Sequence, residues 1–281
     1  MPFRNLRAAA LPAKLSRSWL LVNALKPELF APALASEADS VIFDMEAPVP
    51  PKQKQEARDN VIEALSSGMS GWVRVNPPTS TFWADDLAAL TKVRGLRGVM
   101  LAETEKPEQV TYTAMRLPAG TPVLALIESA LGIENATAIA SAPGTFRLAF
   151  GINDFRKDTG VGDDPLALAY ARGKLVVASR VGRLPGPIDG PAAPGASFAQ
   201  VAEECNTTAT MGMTGKLSLS IEQVDEVNKG LSPSTDELKW AHELLEAHEH
   251  GGEMGDGSYL PRLKRAQKIA ELADSYGLWN A

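Results

Sequence analysis

The sequence predicts an α/β fold, most simply a single (β/α)8 TIM barrel with a C-terminal helical extension. Its 281 residues, 44% of them hydrophobic, are enough to bury one full core. Up to residue 220, short apolar runs of strand length alternate with segments of helical spacing, and only helical patterns follow. An open, doubly wound sheet is the alternative fold, because it shows the same alternation.

The elements follow in chain order. Eight strands are predicted, at residues 18–23, 40–46, 71–76, 98–103, 123–129, 147–154, 187–190 and 214–220. Helical spacing lies between them, at residues 27–35, 53–66, 85–93, 107–116, 131–141, 165–181 and 197–211. The seventh strand has the weakest pattern, because Pro and Gly surround it, although a short barrel strand tolerates such residues.

The pattern divides the chain into three parts. Residues 1–17 are basic and contain no acid, so we expect a disordered N-terminal tail, with a targeting peptide as the alternative. Residues 18–220 form the TIM-barrel catalytic domain. Residues 221–281 supply a barrel-closing helix and a helical extension, interrupted by a Gly-rich hinge or lid-like connection at 251–257. This extension is expected to serve as a lid or in oligomerisation.

Composition excludes several classes of protein. The formal net charge is −6, with 28 basic and 34 acidic residues and no Lys/Arg block, which disfavours nucleic-acid binding. A single cysteine, Cys205, rules out an internal disulfide framework and favours the reducing cytoplasm. No apolar run reaches 18 residues, so we expect no membrane span.

Carboxylates follow several of the predicted strands. Glu128 and Asp154 each end an apolar run, and Asp44 and Glu46 end another. In a parallel barrel these strand ends meet at the rim where ligands bind. Converging carboxylates repel each other and raise each other's pKa unless a cation compensates. We therefore predict that Glu128 and Asp154 hold a divalent cation such as Mg²⁺. Helix capping or pairing with nearby Lys and Arg is the alternative role of these acids.

The third strand ends in Arg74 and Asn76. The planar guanidinium of Arg74 suits a substrate carboxylate, so we predict that Arg74, Asn76 and Asp44 bind substrate. Glu46 is predicted to organise water or the metal, which makes it a candidate catalytic residue.

Five segments in register carry a resemblance to a known family. They are Arg17-Ser-Trp-Leu-Leu-Val, Val41-Ile-Phe-Asp-Met-Glu-Ala-Pro-Val-Pro with Ala57-Arg58, Val73-Arg-Val-Asn, Leu126-Ile-Glu-Ser-Ala-Leu-Gly and Phe150-Gly-Ile-Asn-Asp. Together they resemble the citrate lyase β-subunit-like family, which includes malyl-CoA and citramalyl-CoA lyases and belongs to the HpcH/HpaI aldolase superfamily. The similarity runs from about residue 17 to residue 273.

The resemblance implies both an assembly and a reaction. It implies a TIM barrel that forms a homotrimer or hexamer, with Mg²⁺ held by Glu128 and Asp154 and the substrate carboxylate gripped by Arg74. The implied reaction cleaves a 3-hydroxy-acyl thioester into a 2-oxo acid and acetyl-CoA or an acyl-carrier equivalent.

The chain departs from the family pattern at the acid/base position. Alignment through Pro261 and the Arg-Ala pair at 265–266 puts Tyr259 where the family has an aspartate from a neighbouring subunit. A tyrosine is a poor base at neutral pH but a competent proton donor, so Tyr259 is the second candidate catalytic residue. Ala47 and Glu103 also replace family residues. Two functions therefore remain open: a Mg²⁺-dependent carbon–carbon lyase, or a non-catalytic binding protein that keeps the metal and carboxylate site.

Overall fold

Eight parallel strands close into a barrel in which each strand pairs with its neighbour in sequence, and β8 pairs with β1. The computed structural model describes residues 5–250 and 257–279. Its strands are β1 (Ser18–Asn23), β2 (Ser40–Asp44), β3 (Gly71–Val75), β4 (Leu96–Leu101), β5 (Val123–Ile127), β6 (Thr145–Phe150), β7 (Ile188–Asp189) and β8 (Gly215–Ser218). The predicted barrel is confirmed, including its short seventh strand, and the open sheet is excluded.

Alternating side chains of each strand build two apolar cores. On β1, Leu20 and Val22 pack with the outer layer of helices, whereas Trp19 and Leu21 point into the barrel. Inside, Trp19 and Trp72 meet edge to face with ring centroids 5.1 Å apart. These inward-pointing side chains fill the part of the barrel around Trp19 and Trp72.

The helices of the barrel unit cover the outside of the strands. They are α1 (Leu6–Ala10), α2 (Phe30–Ala35), α3 (Lys54–Ser66), α4 (Trp83–Leu90), α5 (Pro107–Met115), α6 (Ala130–Ala140), α7 (Ile152–Thr159), α8 (Pro165–Val181), α9 (Phe198–Thr210) and α10 (Val224–Gly230). Helix α7 corrects the prediction that the sixth strand runs to Asp154. The strand ends at Phe150, and Ile152 and Phe155, three residues apart, are buried on one side of the helix.

The expectation of a disordered N-terminal tail is wrong for residues 5–17. Asn5 caps α1, and Ala8 and Leu11 are buried. The reason is a buried carboxylate that the basic residues of this segment neutralise. Asp39 accepts hydrogen bonds from Arg7 Nη1 at 2.7 Å and from Arg17 Nε at 2.8 Å. Residues 1–4 lie outside the described part of the chain.

The contacts divide the chain into two compact units, with the division between Leu231 and Ser232. The second unit contains α11 (Thr235–Glu249) and α12 (Tyr259–Tyr276), which pack through Ala241, Ala266 and Ile269. Most of the predicted hinge, residues 251–256, lies outside the described residues.

In the part of the chain that the structure describes, no helix is both long and apolar enough to cross a membrane.

Candidate active site

A cavity of about 420 Å³ opens at the carboxyl ends of the barrel strands. Its lining comes from seven of the eight strand ends and consists of Leu21, Asn23, Asp44, Ala47, Pro48, Arg74, Leu126, Glu128, Gly151, Ile152, Asn153, Asp154, Pro191, Leu217 and Leu219. Four predicted site residues, Asp44, Arg74, Glu128 and Asp154, therefore line one space. This position is where TIM-barrel enzymes bind their ligands.

Arg74 is buried and fixed by two carboxylates. Its Nε and Nη2 atoms donate to the two oxygens of Asp44 at 2.7 and 2.5 Å, and Nη1 lies 3.3 Å from Glu46 Oε2. Burial opposes the charge of Arg74, but Asp44 and Glu46 hold its pKa above the usual value. Arg74 thus remains a cation. Asp44 accepts hydrogen bonds from only two of its five N–H groups, so others are available for a further acceptor.

Glu128 lies just past β5 and is almost fully buried. Its Oε1 accepts a hydrogen bond from the Glu103 backbone N–H at 2.6 Å, and Glu103 adopts a left-handed backbone with φ of 47°. On the other side, a Cβ at position 151 would come within 2.5 Å of Glu128 Cβ, so glycine is required there. The side chain of Glu128 is therefore held in place from two directions.

Burial, more than the neighbouring acids, sets the pKa of Glu128. Burial raises the pKa of Glu128 to about 8, and Glu46 and Asp154 add to the increase against the opposing effects of the Glu103 N–H and Arg74. Burial also raises the pKa of Glu46. A bound cation would relieve this cost, since it compensates the negative charge in place of a proton.

Glu128 and Asp154 are suitable ligands for Mg²⁺. Among residues 5–250 and 257–279, no three His, Cys, Asp or Glu side chains group closely enough to enclose a metal ion. Mg²⁺ commonly takes only one or two protein carboxylates and keeps water and substrate oxygens in its other positions. Asp154 lies in the first turn of α7, Glu128 has the raised pKa, and both line the cavity. This open pair of oxygen ligands fits Mg²⁺ better than it fits a closed structural metal site.

Asn76, predicted to bind substrate, is not among the cavity-lining residues. Its side chain accepts a hydrogen bond from Lys54 Nζ at 2.6 Å and donates to Asp86 Oδ2 at 2.7 Å. Asp86 also accepts from Arg58 Nε at 3.0 Å. The amide of Asn76 therefore belongs to a buried polar network behind the cavity wall.

Lys54 was missed by sequence reasoning. Its ammonium group donates to the carbonyl oxygens of Met45 at 2.9 Å and Glu46 at 2.7 Å, in addition to Asn76. These contacts fix the segment between β2 and α3 that carries Glu46. No local pattern separates buried Lys54 from exposed Lys52, two residues earlier.

Tyr259 is the first residue of α12 in the C-terminal unit. Its hydroxyl group hydrogen-bonds with Nδ1 of His248 at 2.8 Å. A hydroxyl held by an imidazole has a ready partner for proton exchange. The catalytic role of Tyr259 stays a prediction.

A closed (β/α)8 barrel with a carboxylate pair and a buried arginine at its mouth defines a TIM-barrel protein with a candidate active site at the carboxyl ends of its strands. The chain belongs to the HpcH/HpaI aldolase/citrate lyase family, whose model matches residues 17–220. The model of the HpcH/HpaI aldolase C-terminal domain matches residues 236–277. The predicted resemblance is thereby confirmed, and it places the chain among carbon–carbon lyases.

Named relatives cover most of the chain. Citramalyl-CoA lyase, mitochondrial, from Homo sapiens is 29% identical over 270 residues, which cover 84% of this chain and 79% of the relative. L-malyl-CoA/beta-methylmalyl-CoA lyase from Cereibacter sphaeroides is 30% identical over 309 residues, which cover 94% of this chain and 96% of the relative. Among solved structures, CitE from Mycobacterium tuberculosis in complex with magnesium, acetoacetate and coenzyme A superposes with a TM-score of 0.76. It is 26% identical, and the match covers 94% of this chain and 99% of that one.

Proposed function

We propose that this protein is a Mg²⁺-dependent carbon–carbon lyase that cleaves a 3-hydroxy acid, or its acyl-CoA thioester, into a 2-oxo acid and an acetyl unit. The observation that carries the proposal is Glu128, a buried carboxylate with raised pKa that shares a cavity with Asp154 and the fixed cation Arg74. The names of the relatives support the thioester form of the substrate.

In this reaction the bond between the hydroxyl-bearing carbon and the carbon next to the thioester breaks. The hydroxyl group loses its proton and becomes the carbonyl of the 2-oxo acid, while the bonding electrons pass to the thioester enolate, which then takes up a proton. Bound Mg²⁺, held by Glu128 and Asp154, would supply Lewis acidity toward the oxygen that becomes this carbonyl.

Side chains of the protein bind the substrate carboxylate and transfer the protons. Arg74 binds the substrate carboxylate through N–H groups that Asp44 leaves available, and Asp44 fixes its orientation. Glu46, beside Arg74, orders water or accepts a proton, which suits its raised pKa. Tyr259 donates the proton that the enolate requires through its phenolic hydroxyl group.

The proposal also includes the predicted assembly and location. The chain would form a homotrimer or hexamer, which analytical ultracentrifugation would detect. The C-terminal unit would serve as a lid or as an oligomerisation element. Cytoplasmic location is part of the same proposal, and cell fractionation would test it.

Calorimetric titration of pyruvate with and without Mg²⁺ tests the site. We expect Mg²⁺-dependent binding in the natural protein and none in Glu128→Ala, because the variant loses a predicted metal ligand. Glu63→Ala, an exposed glutamate on α3, is the matched control and should bind normally. Pyruvate binding that persists in Glu128→Ala with chelator present would show that pyruvate does not bind at a metal site formed by Glu128.

A turnover assay distinguishes a lyase from a non-catalytic binding protein. Release of a 2-oxo acid from citramalyl-CoA or malyl-CoA, lost in Tyr259→Phe with pyruvate binding retained, would establish the lyase and the role of Tyr259. Metal-dependent binding without turnover of either thioester would instead favour the non-catalytic alternative.

A further inference from the structure

Helix α8 carries a row of large apolar side chains on the outside of the barrel unit. Leu166 is 84% exposed, and Tyr170, Val177 and Val181 are 63%, 60% and 59% exposed. Their spacing of four, seven and four residues places all of them on one face of the helix, which we call the α8 stripe. Apolar side chains exposed together in this way are typical of a surface that another protein covers.

Two features of the α8 stripe suit close contact with another helix. The Tyr170 hydroxyl group donates to Glu134 Oε1 of α6 at 2.6 Å, which fixes the orientation of its ring. Gly173 lies in the middle of the stripe, where a Cβ would meet Met211 Cε at 4.0 Å, an ordinary contact. Packing within the described chain therefore leaves room for a side chain at position 173, although glycine costs a helix about 1 kcal/mol relative to alanine. The close approach of a second backbone accounts for a glycine at this position.

The two ends of α8 carry opposite charges. Asp163 and Asp164 lie at its beginning and Arg180 and Arg183 at its end, and all four are exposed. Asp163 keeps 69% of its side chain exposed although it pairs with Arg156 at 3.0 Å. When two copies of the helix run antiparallel, the acidic end of each meets the basic end of the other.

The same antiparallel alignment matches the apolar side chains. With Gly173 beside the midpoint, Leu166 of one copy lies opposite Val181 of the other, and Tyr170 lies opposite Val177. The stripe is therefore complementary to itself in both charge and hydrophobicity, which favours a second copy of this chain over an unrelated protein as its partner.

We propose that two copies of this chain associate through the α8 stripe, with the two helices antiparallel around a two-fold axis near Gly173. Tyr170, packed between the two helices, would contribute most to binding, because rigid aromatic residues at the centre of an interface commonly do. The inference concerns assembly and goes beyond the proposed reaction. Of the two proposed assemblies, the homotrimer and the hexamer, it requires the hexamer, because a two-fold contact doubles the trimer.

The mass of the full chain in solution provides the first test. Val177→Lys places a charge near the centre of the contact on both copies, so sedimentation should give half the mass of the natural protein. Met115→Lys, at a position of α5 that is 76% exposed, is the matched control and should keep the natural mass. Far-UV circular dichroism equal to that of the natural protein would show that both variants are folded.

Cysteine cross-linking tests the antiparallel alignment without a disruptive charge. In a Leu166→Cys/Val181→Cys double variant, each new thiol faces its counterpart in the other copy, so oxidation should link two chains. The two positions are about 22 Å apart along the helix, too far for a disulfide within one chain. Each single variant is a control and should remain unlinked, because its thiol lies equally far from its own copy, and the natural Cys205 is buried.

Each outcome supports or overturns the two-fold contact. A natural protein that sediments as a monomer or a trimer, or a folded Val177→Lys that keeps the natural mass, would overturn it. Equal losses of mass in Val177→Lys and Met115→Lys would overturn the assignment to α8, and equal cross-linking in the single and double variants would overturn the antiparallel alignment. A natural dimer that becomes a monomer in Val177→Lys would support the contact and contradict the proposed trimer. The lyase reaction is tested separately by pyruvate binding and turnover.

Discussion

Glu128 ties the stability of the protein to pH. Its pKa in the folded state is about 8, above the value near 4.3 of an exposed glutamate. Between these values the folded protein binds more protons than the unfolded chain, so stability falls as pH rises through this window. A tenfold difference in proton affinity between the two states corresponds to about 1.4 kcal/mol, and we expect a loss of a few kcal/mol between pH 5 and pH 8 without metal.

Urea denaturation at both pH values, in chelator, measures this loss. Glu128→Gln mimics the protonated side chain and should unfold with a weaker pH dependence than the natural protein. Mg²⁺ at pH 8 should stabilise the natural protein and not the variant, because metal binding to the folded state requires the carboxylate. Glu63→Gln on α3 serves as the exposed control. Equal pH dependence in the natural protein and Glu128→Gln would contradict the raised pKa.

The sequence allowed the position of some residues at the cavity to be predicted and that of others not. Arg74, Glu128 and Asp44 line the cavity as predicted, because they lie at or just beyond strand ends that point to the mouth. Asn76 follows the same strand as Arg74 but turns away, since buried Asp86 and Lys54 engage its amide. Such partners come from helices distant in sequence, which no local pattern reveals.

Among the elements, α3 holds the segment that presents Glu46. Its first residue, Lys54, uses its ammonium group on Met45, Glu46 and Asn76 and is buried. Lys54→Met keeps much of the side-chain volume and removes the donors, so the Asp44–Glu46 pair should hold Arg74 less well. We expect pyruvate affinity or the KM of the substrate to worsen on the order of tenfold, as when partners of ligating groups are removed.

The affinity for Mg²⁺ distinguishes a positioning role of Lys54 from unfolding of the Lys54→Met variant. Mg²⁺ affinity, measured without pyruvate, should stay near that of the natural protein, because Glu128 and Asp154 follow β5 and β6 and not β2. Lys52→Met changes an exposed lysine of the same segment and is the matched control. Equal losses of Mg²⁺ and pyruvate affinity in Lys54→Met would indicate a collapsed site and refute the positioning role.

At the level of elements, periodicity predicted the eight strands and failed at the start of the short helix α7. The two residues of β7 form the shortest strand, and the Pro and Gly around them explain why its pattern was the weakest of the eight. The sequence assigns the first three residues of α7, 152–154, to the preceding strand because Ile152 continues its apolar pattern without a strong break. Asp154 was therefore correctly placed at the rim, but on a helix, where a carboxylate in the first turn is favoured by the helix dipole.

At the scale of the whole molecule, the structural role of the N-terminal segment, residues 5–17, could not be predicted from the sequence. Its basic residues looked like a solvated tail, yet Arg7 and Arg17 converge on Asp39, which is completely buried. Burial alone would raise the pKa of Asp39, but hydrogen bonds and charge from Arg17 and Arg7 hold it below the usual value. This contribution to stability is present above the unfolded pKa near 3.9 and is lost as pH falls through the lower folded value.

Asp39→Asn should therefore destabilise the barrel unit by about 3–5 kcal/mol at pH 7, because it removes the anion that two arginines face in a buried site. Glu37→Gln is the matched control, since half-exposed Glu37 also pairs with Arg7 and its loss should cost about 1 kcal/mol or less. Urea denaturation measured by the fluorescence of buried Trp19 and Trp72 checks both variants. The difference between them should narrow as pH falls below the unfolded pKa near 3.9, because the stability contributed by the Asp39 carboxylate is progressively lost there. Similar small losses in both variants at pH 7 would mean that the segment contributes no more than a surface ion pair.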